Sequence, residues 1–381
     1  MEPSAISDHE YLQVSIIDFL VIVLSMKSAR IHAYQEPLKV EDVSRPSMPH
    51  GEEVLVKVGG AGLCHSDLHI MQGEWASTIP VQLPKTLGHE VAGWVEEVGD
   101  SVPSTSSSGG LLKGDLVAIF GGWGCGACMQ CKSGNEQLCN YARYPGVTDD
   151  GGYSEYVLVP SYRYLVNLGK GSNLRPADLA PLTDAGLTPY RAIKKIRHLL
   201  GPGKSVVVIG LGGLGFYGMQ YAKILGQGSI VIGIDRNEKR VQDIANAKLV
   251  DHALSISSNA PDIQEQITKI TGRGVDVVVD CVGAENTTRD AFRILNKGGT
   301  LVVVGMFGNE VKIPLVQAIL SEYQVHFSLW GNYNELCEVI ELAKQGKISH
   351  SIQEFPLSEI NKVVDMLRNG EIKGRAVVVP E

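Results

Sequence analysis

Short apolar runs broken by glycine set the pattern of the first part of the chain. VLVKVGGAGLC (54–64) and VAGWVEEVG (91–99) carry the β-branched and alternating content of strands. GDLVAIF (114–120) and YSEYVLVP (153–160) repeat it. Between them SVPSTSSSGG (101–110) is polar and of low complexity, which predicts an exposed loop. Near Leu182 the pattern changes. LTPYRAIKKIRHLL (187–200) has helical periodicity. SVVVIG (205–210), SIVIGID (229–235), VDVVVDCVG (275–283) and TLVVVG (300–305) are continuous β-branched runs, the signature of strands buried on both faces. Helical stretches such as FYGMQYAKILG (216–226) and NEKRVQDIANA (237–247) lie between them. The chain therefore reads as α/β: a β-rich region first, then a doubly wound parallel sheet. Two helical stretches and a last strand, RAVVVP (375–380), follow Trp330.

The N-terminus departs from both patterns. VSIIDFLVIVL (14–24) is apolar apart from Ser15 and Asp18, but shorter than the about 20 residues that span a bilayer. A signal peptide begins basic, whereas Glu2, Asp8 and Glu10 make this start acidic. Residues 1–25 are expected to be an extension outside the fold, with a membrane anchor as the alternative. The length of 381 residues gives room for two domains, and 44% hydrophobic with 20% charged residues describes a soluble globular chain. A net charge of -8 argues against nucleic acid as the main partner.

Candidate chemistry begins with Cys125, Cys128, Cys131 and Cys139, spaced C-x2-C-x2-C-x7-C. Four thiolates on one short lobe can close a tetrahedron around Zn²⁺, as a structural zinc site requires. Two disulfides are the alternative, although a chain of this size buries a core without such staples. Cys281 and Cys337 read as small buried hydrophobes, and the whole usage fits a reducing cytoplasm. A second signal is Gly210-Leu211-Gly212-Gly213-Leu214-Gly215, a G-x-G-x-x-G run directly after a strand and opening a helix. Asp235 ends the next strand, 20 residues past Gly215. A carboxylate there binds the adenine ribose of NAD and repels the 2′-phosphate of NADP, while the adjacent Arg236 pulls the other way. Arg240 and His65 are assigned to the same cofactor set. A plain turn with a solvated Asp235 is the alternative.

Cys64-His65-Ser66-Asp67-Leu68-His69 and Gly88-His89-Glu90-Val91-Ala92-Gly93, followed by Gly99 and Val102, complete G-H-E-x2-G-x5-G-x2-V. With these motifs the chain resembles the zinc-containing medium-chain alcohol dehydrogenases over residues 26–381, and among them bacterial and archaeal secondary-alcohol dehydrogenases. The resemblance implies a GroES-like catalytic domain (26–183), a Rossmann NAD-binding domain (184–329) and a return to the first domain (330–381). It implies a catalytic zinc held by Cys64 and His89. The third ligand is commonly a cysteine; here APLTDAGLTPYRA (180–192) carries Asp184 instead, and carboxylate oxygen is an ordinary zinc ligand. A helix N-cap is the other reading of Asp184.

Glu90 would lie beside the metal, and Asp67 would accept a hydrogen bond from His89 or cap a turn. Ser66 would take the hydroxyl proton, and His69 would pass it to solvent. His65 would face the cofactor or the surface. Trp123 and Trp330 would line the substrate pocket or sit in the core. The implied activity is reversible NAD-linked oxidation of hydrophobic primary and secondary alcohols, with two zinc ions per chain. A polyol or amino-alcohol dehydrogenase and a non-catalytic NAD-binding protein are the alternatives. Partners would be a small alcohol or carbonyl compound and further copies of the chain, in a homotetramer or dimer paired through residues 311–330, with no nucleic acid and no membrane.

Overall fold

The computed structural model describes residues 25–104, 110–257 and 260–381. The expected extension thus falls outside the described residues apart from Ser25, which already opens the first strand, Ser25–Ile31. Part of the polar insert, 105–109, also lies outside them. No helix among the described residues is long and apolar enough to cross a membrane.

The β-rich region is built on a seven-stranded sheet. Its order is Ile352–Pro356, Arg375–Val379, Val54–Gly62, Glu90–Val98, Leu116–Ile119 and Leu165–Gly169, with Tyr156–Val159 pairing beside Val54–Gly62. Val54–Gly62 and Glu90–Val98 run antiparallel; the first is almost wholly buried, the second buried over its first half from Glu90 to Gly93. The last strand of the chain, Arg375–Val379, pairs with the end of Val54–Gly62 through Val377 opposite Gly62. Residues far apart in sequence therefore meet at the end of one strand. A small three-stranded sheet, Lys39–Ser44, Ser25–Ile31 and Lys85–Thr86, packs alongside.

The second sheet has six parallel strands in the order His252–Ser255, Ile230–Asp235, Ser205–Ile209, Val275–Asp280, Leu295–Val303 and Gln324–Phe327. Numbered along the chain this is 3-2-1-4-5-6, the doubly wound dinucleotide-binding order. The central strand, Ser205–Ile209, is buried at every position, as its unbroken β-branched run requires. The order of the strands reverses beside it, and in open sheets of this kind ligands bind at the strands' C-terminal ends at that switch point.

Candidate active site and its two metal-binding clusters

Three separate segments bring Cys64, His89 and Asp184 together. Cys64 ends the run after Val54–Gly62 and stands in extended conformation before the helix His65–Gln72. The Asp67 carboxylate, three residues on, accepts the Cys64 backbone N–H at 2.9 Å. His89 precedes Glu90–Val98. It follows Gly88, whose φ of 94° and closeness to Tyr153, 2.7 Å from where a Cβ would lie, leave no room for a side chain. Asp184 leaves the short 3-10 turn Ala180–Thr183. It does not cap the next helix, which starts at Leu187 with Gly186 at its cap. Its Oδ1 accepts the Thr188 hydroxyl at 2.6 Å, leaving Oδ2 toward the other two residues.

Asp184 Oδ2 lies 3.4 Å from His89 Nε2 and 3.7 Å from Cys64 Sγ. These separations suit one ion bound at about 2.0–2.3 Å from each ligand. The donor set of thiolate, imidazole and carboxylate is that of a catalytic zinc with one position left for substrate. A further sign comes from behind the ring. Asp67 Oδ1 is buried without a hydrogen-bond partner and sits 3.4 Å from His89 Nδ1, while its Oδ2 accepts the Tyr153 hydroxyl at 2.8 Å. An imidazole drawn onto a metal through Nε2 would hold its Nδ1–H toward that orphaned oxygen. Burial opposes ionisation of Asp184, but the His89 hydrogen bond and charge, with Arg375, outweigh it and hold the carboxyl well below its usual range.

Glu90 belongs to the same cluster. Both of its oxygens are engaged: Oε2 accepts from Arg375 Nε at 2.9 Å, and Oε1 from Arg375 Nη2 and from the Ala185 N–H. Burial pushes its carboxyl up, to about 7, against the pull of Arg375. Gly62 makes the arrangement possible, because a Cβ there would fall 1.8 Å from Glu90 Oε2.

The four lobe cysteines form the second cluster, with all ligand atoms within 4.8 Å of one another. None is in a disulfide. Cys128 and Cys131 Sγ are 3.5 Å apart, and Cys125 and Cys131 Sγ 3.9 Å. A tetrahedron with Zn–S of about 2.3 Å has edges of about 3.8 Å, so the spacing fits a zinc ion and not sulfur–sulfur bonds of about 2.05 Å. Backbone N–H groups of Cys128, Cys125 and Tyr141 point at Cys125 and Cys139 sulfurs at 3.3–3.4 Å, which favours thiolates.

The glycine run lies across the crevice. Gly210 has φ of 86°, and a Cβ on Gly215 would meet the Gly210 carbonyl at 1.7 Å. Gly212 caps the helix Gly213–Leu225, so the N–H groups of Gly213, Leu214 and Gly215 form the free first turn that binds pyrophosphate. Asp235 Oδ2 accepts the Leu211 N–H at 2.8 Å and pairs with Arg240 at 3.2 Å; Arg236 is exposed beside it. His65 keeps an open face on the crevice. Crowding by protein and then the charges of Arg375, His69 and Arg240 lower its imidazole to about 4. Arg240 and Arg375 approach the glycine run, their Nη1 atoms 4.0 Å and 2.7 Å from where a Cβ would lie on Gly212 and Gly213.

The two tryptophans part company. Trp330 takes φ of 44°, donates its indole N–H to the Thr183 carbonyl at 2.7 Å, and lies edge-on to the His89 ring at 5.8 Å. Its ring fills the space at Gly121, where a Cβ would come within 2.4 Å. Trp123 is a correction to the pocket expectation. It is 2% exposed and packs on Tyr164, with its N–H spent on the Phe120 carbonyl. Sequence reading missed Arg375, Thr188, Tyr153 and Tyr144, the last stacked on Trp330 at 5.8 Å. Only Arg375 left a trace, as a lone charge opening an apolar last strand.

Comparison with known proteins agrees with this geometry. Residues 50–170 match the alcohol dehydrogenase GroES-like domain, and residues 213–345 the zinc-binding dehydrogenase domain. An NAD-dependent alcohol dehydrogenase of Sulfurisphaera tokodaii is 40% identical over 93% of this chain and 100% of its own. A D-arabinose 1-dehydrogenase (NADP(+)) of Saccharolobus solfataricus is 36% identical over 94% of this chain and 99% of its own. The crystal structure of the alcohol dehydrogenase from Aeropyrum pernix superposes with a TM-score of 0.85 at 38% identity, covering 93% of this chain and 100% of that one. With both domain matches and relatives alike over nearly its whole length, the chain belongs to the zinc-containing medium-chain alcohol dehydrogenase family.

Proposed function

We propose that the protein is a zinc-dependent alcohol dehydrogenase that oxidises hydrophobic primary and secondary alcohols reversibly with NAD. The observation that carries this reading is the convergence of Cys64, His89 and Asp184 beside the Trp330 ring. When bound, zinc polarises the alcohol hydroxyl and lowers its pKa, and NAD accepts the hydride.

The chain's own residues do the rest. Ser66, with Oγ 3.6 Å from Cys64 Sγ, is placed to take the hydroxyl proton. His69 stands three residues further along the same helix face and relays the proton outward. Asp67 holds the His89 ring. Glu90 stays behind the ligands on Arg375. Trp330 and Tyr144 give the pocket an aromatic wall that favours apolar carbinols. Asp235 selects NAD, the Cys125–Cys139 lobe holds a second, structural zinc, and its reduced thiols suit the cytoplasm.

A second reading, oxidation of a sugar or polyol with NADP, draws on the D-arabinose dehydrogenase relative and on Arg236 beside Asp235. Aromatic faces also pack against sugar rings. The deciding experiment is reduction of NAD and of NADP by a panel of aliphatic, aromatic and secondary alcohols, polyols and D-arabinose, before and after zinc chelation. Chelator-sensitive turnover led by hydrophobic alcohols with NAD is expected. Preference for D-arabinose with NADP would replace it by the second reading, and no turnover with zinc bound would favour the non-catalytic alternative.

We also propose pairing of copies into a tetramer, or a dimer, through the end of the parallel sheet. There Leu315, Val316, Ile319 and Leu320 are 65–73% exposed on the helix Leu315–Ser321, beside the outermost strand Gln324–Phe327. Light scattering that finds a monomer overturns this.

A further inference from the structure

The helix that carries Ser66 and His69 ends in a turn that folds back on His69. Gly73 takes φ of 73° after Gln72 and donates its N–H to the Ile70 carbonyl at 3.0 Å. The Glu74 N–H then closes onto the His69 carbonyl at 3.1 Å. This left-handed helix stop fixes the two residues that follow it. The Glu74 carboxylate reaches His69 Nδ1 in a close hydrogen bond. Trp75 stacks its ring on the imidazole, centroids 4.7 Å apart at 19°. From the other domain Phe307 meets the same ring edge-on at 5.9 Å.

The imidazole is therefore held at Nδ1, on one face and at an edge, and the charge around it is uneven. The His69 side chain is 11% exposed, that of Glu74 55%. The groups that titrate near the ring are Glu74 and, one turn earlier on the same helix, His65. Trp75 and Phe307 are neutral. The ring also lies in the last turn of its helix, whose carbonyl end favours a positive charge. One carboxylate thus spans the distance from a buried imidazole to bulk water.

We infer that Glu74 is a positioning residue of the reaction, holding His69 with its proton on Nδ1 so that Nε2 faces the crevice as the acceptor, and pairing with the imidazolium once that acceptor is filled. The inference rests on the proposed relay role of His69. The step is a proton transfer without change of oxidation state. The Nε2 lone pair takes the proton released in the crevice, the ring becomes cationic beside an anionic carboxylate, and that proton is later lost to water. A carboxylate fixing the tautomer and basicity of a histidine is general chemistry. The sequence signature is H-x3-G-E-W.

The test uses the zinc-loaded enzyme and follows proton release with a pH indicator beside NADH formation in a single turnover. Glu74→Ala is expected to slow proton release and kcat for alcohol oxidation about tenfold or more. It should also move the pH profile of kcat toward acid by removing the partner of the cation. Formate or acetate should restore part of the rate, which a merely structural defect would not allow. Glu74→Asp should retain most of it, and Glu74→Gln should keep the tautomer but show the same acid shift. An unchanged pH profile with undelayed proton release in Glu74→Ala overturns the inference. His69→Gln separates the levels. If it too leaves proton release untouched, the relay reading fails; if it alone slows release, only the role of Glu74 fails.

Discussion

The two metal-binding clusters are built on opposite plans. The thiolate lobe draws four like ligands from 15 consecutive residues near the surface, with Cys125 exposed. The Cys64, His89 and Asp184 cluster draws three unlike ligands from three distant segments and buries them against Asp67, Glu90 and Arg375. In the lobe, backbone N–H groups of neighbouring residues point at the Cys125 and Cys139 sulfurs. The other cluster, on the proposed reading, would leave a coordination position free, and its ligands would need to be held from behind by a preorganised shell. Local saturation suits a structural ion, and long-range support with an open position suits a catalytic one.

The sharpest way to break this contrast is to remove one ligand from each cluster. His89→Ala should lower kcat/KM about 10³-fold or more, since a Lewis acid contributes several kcal/mol, and should cost one zinc per chain. Metal analysis beside steady-state kinetics checks both. Cys131→Ser should also release one zinc, but its main effect should be a loss of about 4 kcal/mol of stability, read as a fall of roughly 10 °C in Tm. Equal effects of the two variants on Tm would remove the distinction.

Smaller effects probe the supporting shell. Asp67→Asn should weaken metal affinity and activity about 10- to 100-fold by loosening the His89 ring. Asp184→Cys should keep its zinc and stay within about tenfold of the parent rate, while Asp184→Ala should not. The sign with pH follows from the ligands. A thiol titrates near 8.5 and a carboxyl near 3.9, and Asp184 is held lower still. Protons therefore compete for the cysteine at higher pH, and zinc should leave the Cys variant on acidification before it leaves the parent. Release at the same pH would mean that Asp184 does not touch the metal.

The same contrast explains what could be read from the sequence. The lobe is a spacing pattern, and the glycine run sits between a strand and a helix; both are local, and both were legible. The parallel sheet was legible because its strands are continuous β-branched runs. The proposed catalytic ligands came only through resemblance, since nothing in the spacing links residue 64 to residue 184. Trp123 stayed open between pocket and core because an aromatic before a metal lobe looks the same in either place; its burial and the Phe120 carbonyl that takes its N–H favour the core. Trp330 could be named, but not its left-handed backbone or its use of the space at Gly121. The Glu90–Arg375 contact bridges 285 residues and has no local signature.

That contact also bears on how the protein is made. Glu90 is fully buried and its partner is synthesised 285 residues later, at the opening of the last strand. Until Arg375 has left the ribosome, the core around Glu90 would enclose an unpaired carboxylate, a defect of about 3–5 kcal/mol. The first domain therefore cannot reach its final packing while the parallel sheet is still being translated. A chain stalled short of residue 375 would lack both the partner of Glu90 and the strand that pairs with the end of Val54–Gly62.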